Sequence, residues 1–177
     1  GLPIDIKWRD YRELNEIYDR IVSVGMFEHV GQKNYTTYFD VVRRCLKDDV
    51  IFLLHTIGGN IDMCFDPWLN TYIFPNGYLP TVANIADSAQ GKLILEDWHN
   101  IGPDYDRTLM QWLANFDANW TEIQKNGGYD ERFKHMFRYY LQLCAGAFRS
   151  RNVQLWQVLF SPRGIDGING ATRVSRL

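Results

Sequence analysis

Cysteine is scarce in this sequence and badly spaced for either a scaffold or a metal. Cys45, Cys64 and Cys144 are the only three in 177 residues. They lie far apart without a C-x-x-C pair, which argues against a disulfide framework and a zinc site and fits a reducing cytoplasm. No run of eighteen apolar residues occurs, so no segment reads as a membrane span. Neither charge is in excess: 19 basic against 21 acidic residues leave a formal −2, too weak a basic field to suggest a nucleic-acid partner. Gly1-Leu2-Pro3 carries neither a basic n-region nor a long apolar h-region, so it is not read as a secretion signal. No G-x-G-x-x-G loop follows a strand, and that loop is how a dinucleotide-like cofactor is usually cradled. Internal repeats and low-complexity tracts are missing too.

What is present is one domain's worth of chain, 46% hydrophobic and 15% aromatic, a composition that serves a packed core or an apolar ligand channel. Its most telling stretch is Asp19 to His29. The aliphatic run Ile21 to Val24 reads as a strand buried on both faces, as in the middle of a parallel sheet. It breaks at Gly25 and delivers Glu28 and His29 side by side. Ligands in open α/β sheets bind beyond the carboxyl ends of the strands, although Glu28 alone is equally readable as a cap of the following helix. A second strand, Asp49 to Gly58, repeats the design with His55 and then glycines. As a parallel neighbour it would place His55 beside Glu28 at one rim, and the pair reads as a site.

The remaining elements follow from period and punctuation. Ile4 to Trp8 alternate and are expected as a short strand ending at Asp10. Tyr35, Tyr38, Phe39, Val42 and Leu46 recur at helical spacing and mark a crossover helix. Asp66-Pro67 opens a short helix, the acid as N-cap and proline at the first position. Pro80 opens another, with Val82, Ile85, Ala86 and Ala89 turned inward. Leu93 to Leu95 begins a third buried strand. Leu109, Trp112, Leu113, Phe116, Trp120 and Ile123 form one long helical stripe, broken at Asn126-Gly127-Gly128. Phe133, Met136, Phe137, Tyr140, Leu141, Cys144 and Phe148 form a second. Val153 to Phe160 is the last strand, and the stretch from Ile165 to Leu177, aperiodic and rich in glycine, is expected to fray. Strands interleaved with helices indicate an α/β sheet.

Three segments, Val24-Gly25-Met26-Phe27-Glu28-His29-Val30-Gly31, Leu54-His55-Thr56-Ile57-Gly58 and Leu143-Cys144-Ala145-Gly146-Ala147-Phe148-Arg149, closely resemble the bacterial cyclopropane-fatty-acyl-phospholipid synthases. These enzymes use S-adenosylmethionine and are related to the mycolic-acid methyltransferases. The resemblance runs from about residue 2 to about residue 163. It implies a Rossmann-like class I methyltransferase sheet with its last strand antiparallel and a helical insertion, here lacking its first strands. Residues 1–163 would be the C-terminal part of the catalytic domain, beginning about halfway through it, and 164–177 a flexible tail. With those strands absent, the strand ending at Gly25 would show an apolar edge, a template for pairing with another chain. A homodimer is expected on that ground.

Function is implied by the same resemblance. The methyl of S-adenosylmethionine is attacked by a cis double bond of a phospholipid acyl chain, and the resulting carbocation loses a proton as the cyclopropane closes. A carboxylate serving as base in a greasy channel would have its pKa raised by burial; the family holds a bicarbonate ion instead. Carried over, its ligands are the Glu28 carboxylate, the His55 imidazole, the Ile57 backbone amide and the Tyr105 hydroxyl. Glu28 accepts the bicarbonate O–H while the others donate. Asp10 and Tyr11 are assigned to the adenine side of the cofactor site, Val24 and Gly25 to its backbone lining, and His29 to a cofactor contact. Read locally, Asp10 is a turn acid, Tyr11 a core ring, His29 a surface cap and Tyr105 a buried anchor at a helix start. Phe27, Tyr105 and Trp68 are candidates for cation–π stabilisation, and Cys144, a thiol-sensitive position in some members of the family, sits on an apolar helix face. His99 and His135 are read as structural or exposed. The resemblance places the protein at the inner face of the membrane, with phospholipid as its partner and no metal.

Overall fold

The computed structural model describes residues 1–62 and 66–165. Its sheet starts from strand β1 (Ile21–Val24) and strand β2 (Phe52–Gly58), paired in parallel from Ile21 opposite Phe52 to Val24 opposite His55. Gly25 leaves β1 at φ 62°, a left-handed conformation that glycine adopts without a Cβ penalty. The chain turns there into the single-turn helix α1 (Phe27–Val30). Helix α2 (Tyr35–Cys45) carries the chain across to β2, burying Tyr35, Tyr38, Phe39 and Val42; parallel strands require such a crossover.

Helix α3 (Pro67–Tyr72) begins as its sequence predicts, with the Asp66 carboxylate accepting the Leu69 N–H at 2.9 Å. Helix α4 (Val82–Ala89) is opened by a reciprocal cap between Thr81 and Asn84. Only Ile85 and Ala89 of α4 are buried, whereas Val82 and Ala86 are exposed. A two-turn helix touches the sheet along a single i, i+4 line, and these two residues lie off it. Strand β3 (Ile94–Asn100) follows, then helices α5 (Gly102–Ala118), α6 (Trp120–Gly127) and α7 (Glu131–Arg149), and strand β4 (Gln154–Ser161).

The strand order is β1-β2-β4-β3, with β4 antiparallel to both its neighbours. The last strand is antiparallel, as the resemblance implies, and enters between two that precede it. Strands β1 and β3 are less buried than their apolar sequences suggest, and on β1 the exposure is confined to one face, Ser23 on the other being buried. Val22 is 62% and Val24 64% exposed, and Ile94 and Leu95 are exposed as well. Ile4 to Trp8 form no strand, and Leu2, Ile4, Ile6 and Trp8 are all exposed. Alternation describes a strand's faces, but a strand exists only where its backbone finds a partner.

The long stripe beginning at Leu109 is also interrupted earlier than expected, at Asn119. Its amide donates to the Asn115 carbonyl at 2.7 Å and competes with the helical ladder. The apolar stripe continues across the break, with Phe116 and Trp120 both buried.

Two cores result. Helices α2 and α4 cover one face of the sheet, where Phe52 and Leu54 of β2 and Val158 and Phe160 of β4 meet Phe27, Phe39 and Ile85. On the opposite face, α5 and α7 join through Leu109, Leu113, Leu141 and Phe148 over Leu155 and Ile57. Arg149 of α7 clamps Asp106 of α5 with two hydrogen bonds of 2.8 and 2.9 Å. Of the tail, residues 166–177 lie outside the described residues.

Candidate active site

Glu28 is placed by the turn at Gly25 and by α1. It does not cap that helix: Met26 stands at the N-cap and makes no side-chain cap bond. Instead Oε1 reaches the end of β2 and accepts the Ile57 N–H at 2.8 Å. The main chain is pinned as well, the Glu28 carbonyl accepting the Tyr78 N–H at 2.9 Å. Glu28 is 8% exposed, and its Oε2 is buried without a hydrogen-bond partner. A buried acceptor left without a partner is costly; among the described residues the Tyr11, Ser23, Tyr35 and Tyr38 hydroxyls share that state, and Glu28 is the one carboxylate among them.

The carboxylate stands on the wall of a mainly apolar cavity of about 520 Å³, shared by Gly25, His29, Ile57, Tyr105 and Cys144. Tyr105 enters from the first turn of α5. Its ring packs edge-on against Phe148 with centroids 5.0 Å apart, so it is both an anchor and a wall residue. Burial, with smaller contributions from the neighbouring Cys144 and Glu28, raises its phenol above the usual value and keeps it a donor. Burial, aided by Asp66, likewise pushes the Cys144 thiol up to about 11. His29 is exposed at the cavity wall, its ring 6.3 Å from that of Phe74.

The other expected site residues are placed differently. His55 pairs with Val24 and lies two residues before Ile57; its Nδ1 faces the Gln157 amide at 3.4 Å. Glu28 thus docks beyond His55 rather than directly beside it. The Ile57 amide, expected to serve a bound ion, is engaged by Glu28. Val24 stands exposed on β1. Asp10 caps the short turn Tyr11–Glu13, holding Arg12 through both its backbone N–H and its guanidinium. The Arg12 hydrogen bonds draw its carboxyl down to about 2. Tyr11 packs against the main core, its ring 5.8 Å from Tyr38. Phe27 is fully buried in that core, and Trp68 packs on Tyr139 outside the cavity wall, so of the three candidate rings only Tyr105 lines it.

Other rings and aliphatics of the wall were missed: Phe74, Trp112, Leu143 and Ala147. Tyr140, Leu143, Cys144 and Ala147 stand at i, i+3, i+4 and i+7 of α7, so a helical period held the signal. Nothing local distinguishes a stripe facing a cavity from one facing a core. Among the described residues no helix is long and apolar enough to cross a membrane.

The sheet order, the antiparallel β4 and a site at the strand ends describe the class I fold of S-adenosylmethionine-dependent methyltransferases, and solved structures agree. The cyclopropane synthase MmaA2 from Mycobacterium tuberculosis superposes with a TM-score of 0.77 at 27% identity, over 85% of this chain and 57% of that one. The mycolic acid cyclopropane synthase CmaA1 complexed with SAH and CTAB gives 0.76 at 28% identity, with the same coverage. A cyclopropane-fatty-acyl-phospholipid synthase of Escherichia coli (strain K12) is 59% identical over 177 residues, 99% of this chain but 45% of that protein. The chain therefore spans about half the length of the relatives it matches. The pattern of the mycolic acid cyclopropane synthetase family matches residues 3–158, and the chain belongs to that family.

Proposed function

We propose that the complete protein transfers a methylene group from S-adenosylmethionine to the cis double bond of a phospholipid acyl chain, closing a cyclopropane ring with bicarbonate as base. The observation that carries this reading is Glu28 on the wall of an apolar cavity, its buried Oε2 left without a hydrogen-bond partner. S-adenosylmethionine would supply the methyl group, and bicarbonate would take up the proton lost on ring closure. The residues fit such an ion: a carboxylate is an acceptor only and suits its O–H, while Tyr105, held protonated, is a donor for its anionic oxygens. Because Ile57 already satisfies Oε1, the carboxylate is held in one orientation. The apolar wall admits an acyl chain and excludes water, which strengthens each remaining polar contact.

Gly25 and His29 would meet the methyl donor from the same cavity, with Val24, Asp10 and Tyr11 on its outer side. The SAH in the solved relative is in keeping with that donor. Phospholipid would be met at the inner face of the membrane, and a second copy of the chain would pair along β1. That exposed edge also favours a second reading, in which these 177 residues alone self-associate without catalysis. The test is to incubate the complete protein with S-adenosylmethionine and cis-unsaturated phospholipid vesicles, following the acyl chains by mass spectrometry and proton NMR. Cyclopropane signals that require bicarbonate are expected. A methyl branch, or a rate indifferent to bicarbonate, would overturn the ring-forming chemistry or the base respectively.

A further inference from the structure

One row of side chains crosses the whole sheet: Val24 on β1, His55 on β2, Gln157 on β4 and His99 on β3, each opposite the next. Gln157 is a half-buried amide flanked along its strand face by Leu155 and Leu159. Its Nε2 lies 3.4 Å from His55 Nδ1. With the amide nitrogen rather than its oxygen toward the ring, Gln157 donates and Nδ1 accepts, and in a neutral imidazole the proton then sits on the other nitrogen. Directly opposed residues of an antiparallel pair are held close by the backbone, so this contact does not depend on a loop. On β2, Ile57 follows on the same face two residues later and lines the cavity.

We propose that Gln157 is a positioning residue for His55: it holds the imidazole as the Nε2–H tautomer, so that the ring offers a donor to an anion at the strand end. The inference rests on the reading of His55 as a ligand of bicarbonate. It adds the reason why a histidine, able to donate or accept, would do only the former.

Long-range proton–nitrogen NMR of the 15N-histidine-labelled chain reads the tautomer directly. The parent is expected to show His55 with its proton on Nε2. Gln157→Glu, nearly isosteric, offers only acceptors to Nδ1 and should move a proton there. Gln157→Leu should leave a mixture of tautomers. If the leucine variant fails to fold, the glutamate variant alone decides. A parent protonated on Nδ1, or a glutamate variant with an unchanged ring, would overturn the proposal. In the complete protein, Gln157→Glu should raise the half-saturating bicarbonate concentration roughly tenfold, the scale of one lost charge-assisted hydrogen bond. A switched tautomer with an unchanged bicarbonate requirement would instead overturn the anion role of His55, leaving the Gln157–His55 pairing itself intact.

Discussion

Glu28 and Ile57 are joined by a single 2.8 Å hydrogen bond from the backbone of β2 to Oε1 of the carboxylate. Residues 29 apart in sequence are thereby locked at the carboxyl ends of two neighbouring parallel strands. One oxygen is consumed by the fold, and the other is buried without a hydrogen-bond partner. In the complete protein, Glu28→Gln should keep the Ile57 bond through its amide oxygen while replacing the open acceptor by a donor. Turnover is expected to fall by about two orders of magnitude or more with S-adenosylmethionine affinity nearly unchanged. Steady-state kinetics beside calorimetry would check this, and near-normal turnover would reduce Glu28 to a structural tie.

Gly58 allows a close crossing under the site. A Cβ there would stand 2.2 Å from the Trp156 ring and 2.5 Å from the Pro80 carbonyl oxygen. Neither the buried ring nor the backbone can yield cheaply. Gly58→Ala should therefore destabilise the chain by about 1–3 kcal/mol, the usual scale of overpacking, read as a lowered midpoint in urea. An unchanged midpoint would mean that Trp156 swings aside without loss.

Cys144 should be a slow nucleophile. Burial places its thiol near 11 rather than the ordinary 9.0, so at pH 8 its thiolate fraction is far below that of a free thiol. Alkylation should be about ten- to a hundredfold slower than for a model thiol and should accelerate with pH up to about 11. A raised folded-state pKa contributes stability that is complete below about 9 and is lost as pH rises through about 11. Mass spectrometry of iodoacetamide-treated chain across that range checks the first point, and a rate already at its plateau by pH 8 would contradict it.

The edge of β1 should govern assembly. Val22 and Val24 present their side chains to solvent, and pairing would bury a few hundred Å² at about 25 cal/mol per Å². The chain is expected to sediment as a dimer at micromolar concentration and to bind S-adenosylmethionine poorly. Val22→Lys with Val24→Lys should shift it toward monomer, since charges protect an edge. A monomeric parent, or micromolar cofactor binding by calorimetry, would contradict this.

Much of this architecture was legible in the residues alone. Asp66-Pro67 started α3, the spacing of Tyr35, Tyr38, Phe39 and Val42 made α2, and the aliphatic runs before Gly25 and Gly58 made two parallel strands. These are local signals, because a cap, a period or a glycine acts through neighbours a few residues away. Tertiary structure decided the rest. The same valines that read as a buried central strand lie exposed because their face of β1 is left uncovered while Ser23 on the other face is buried, and Ile4 to Trp8 remain unpaired despite their alternation. Only the fold could reveal that Glu28 spends one oxygen on Ile57, that His55 of β2 faces Gln157 of β4, and that one stripe of α7 lines a cavity. Burial and pairing belong to whichever residues meet through space, and no period along the chain encodes which ones those are.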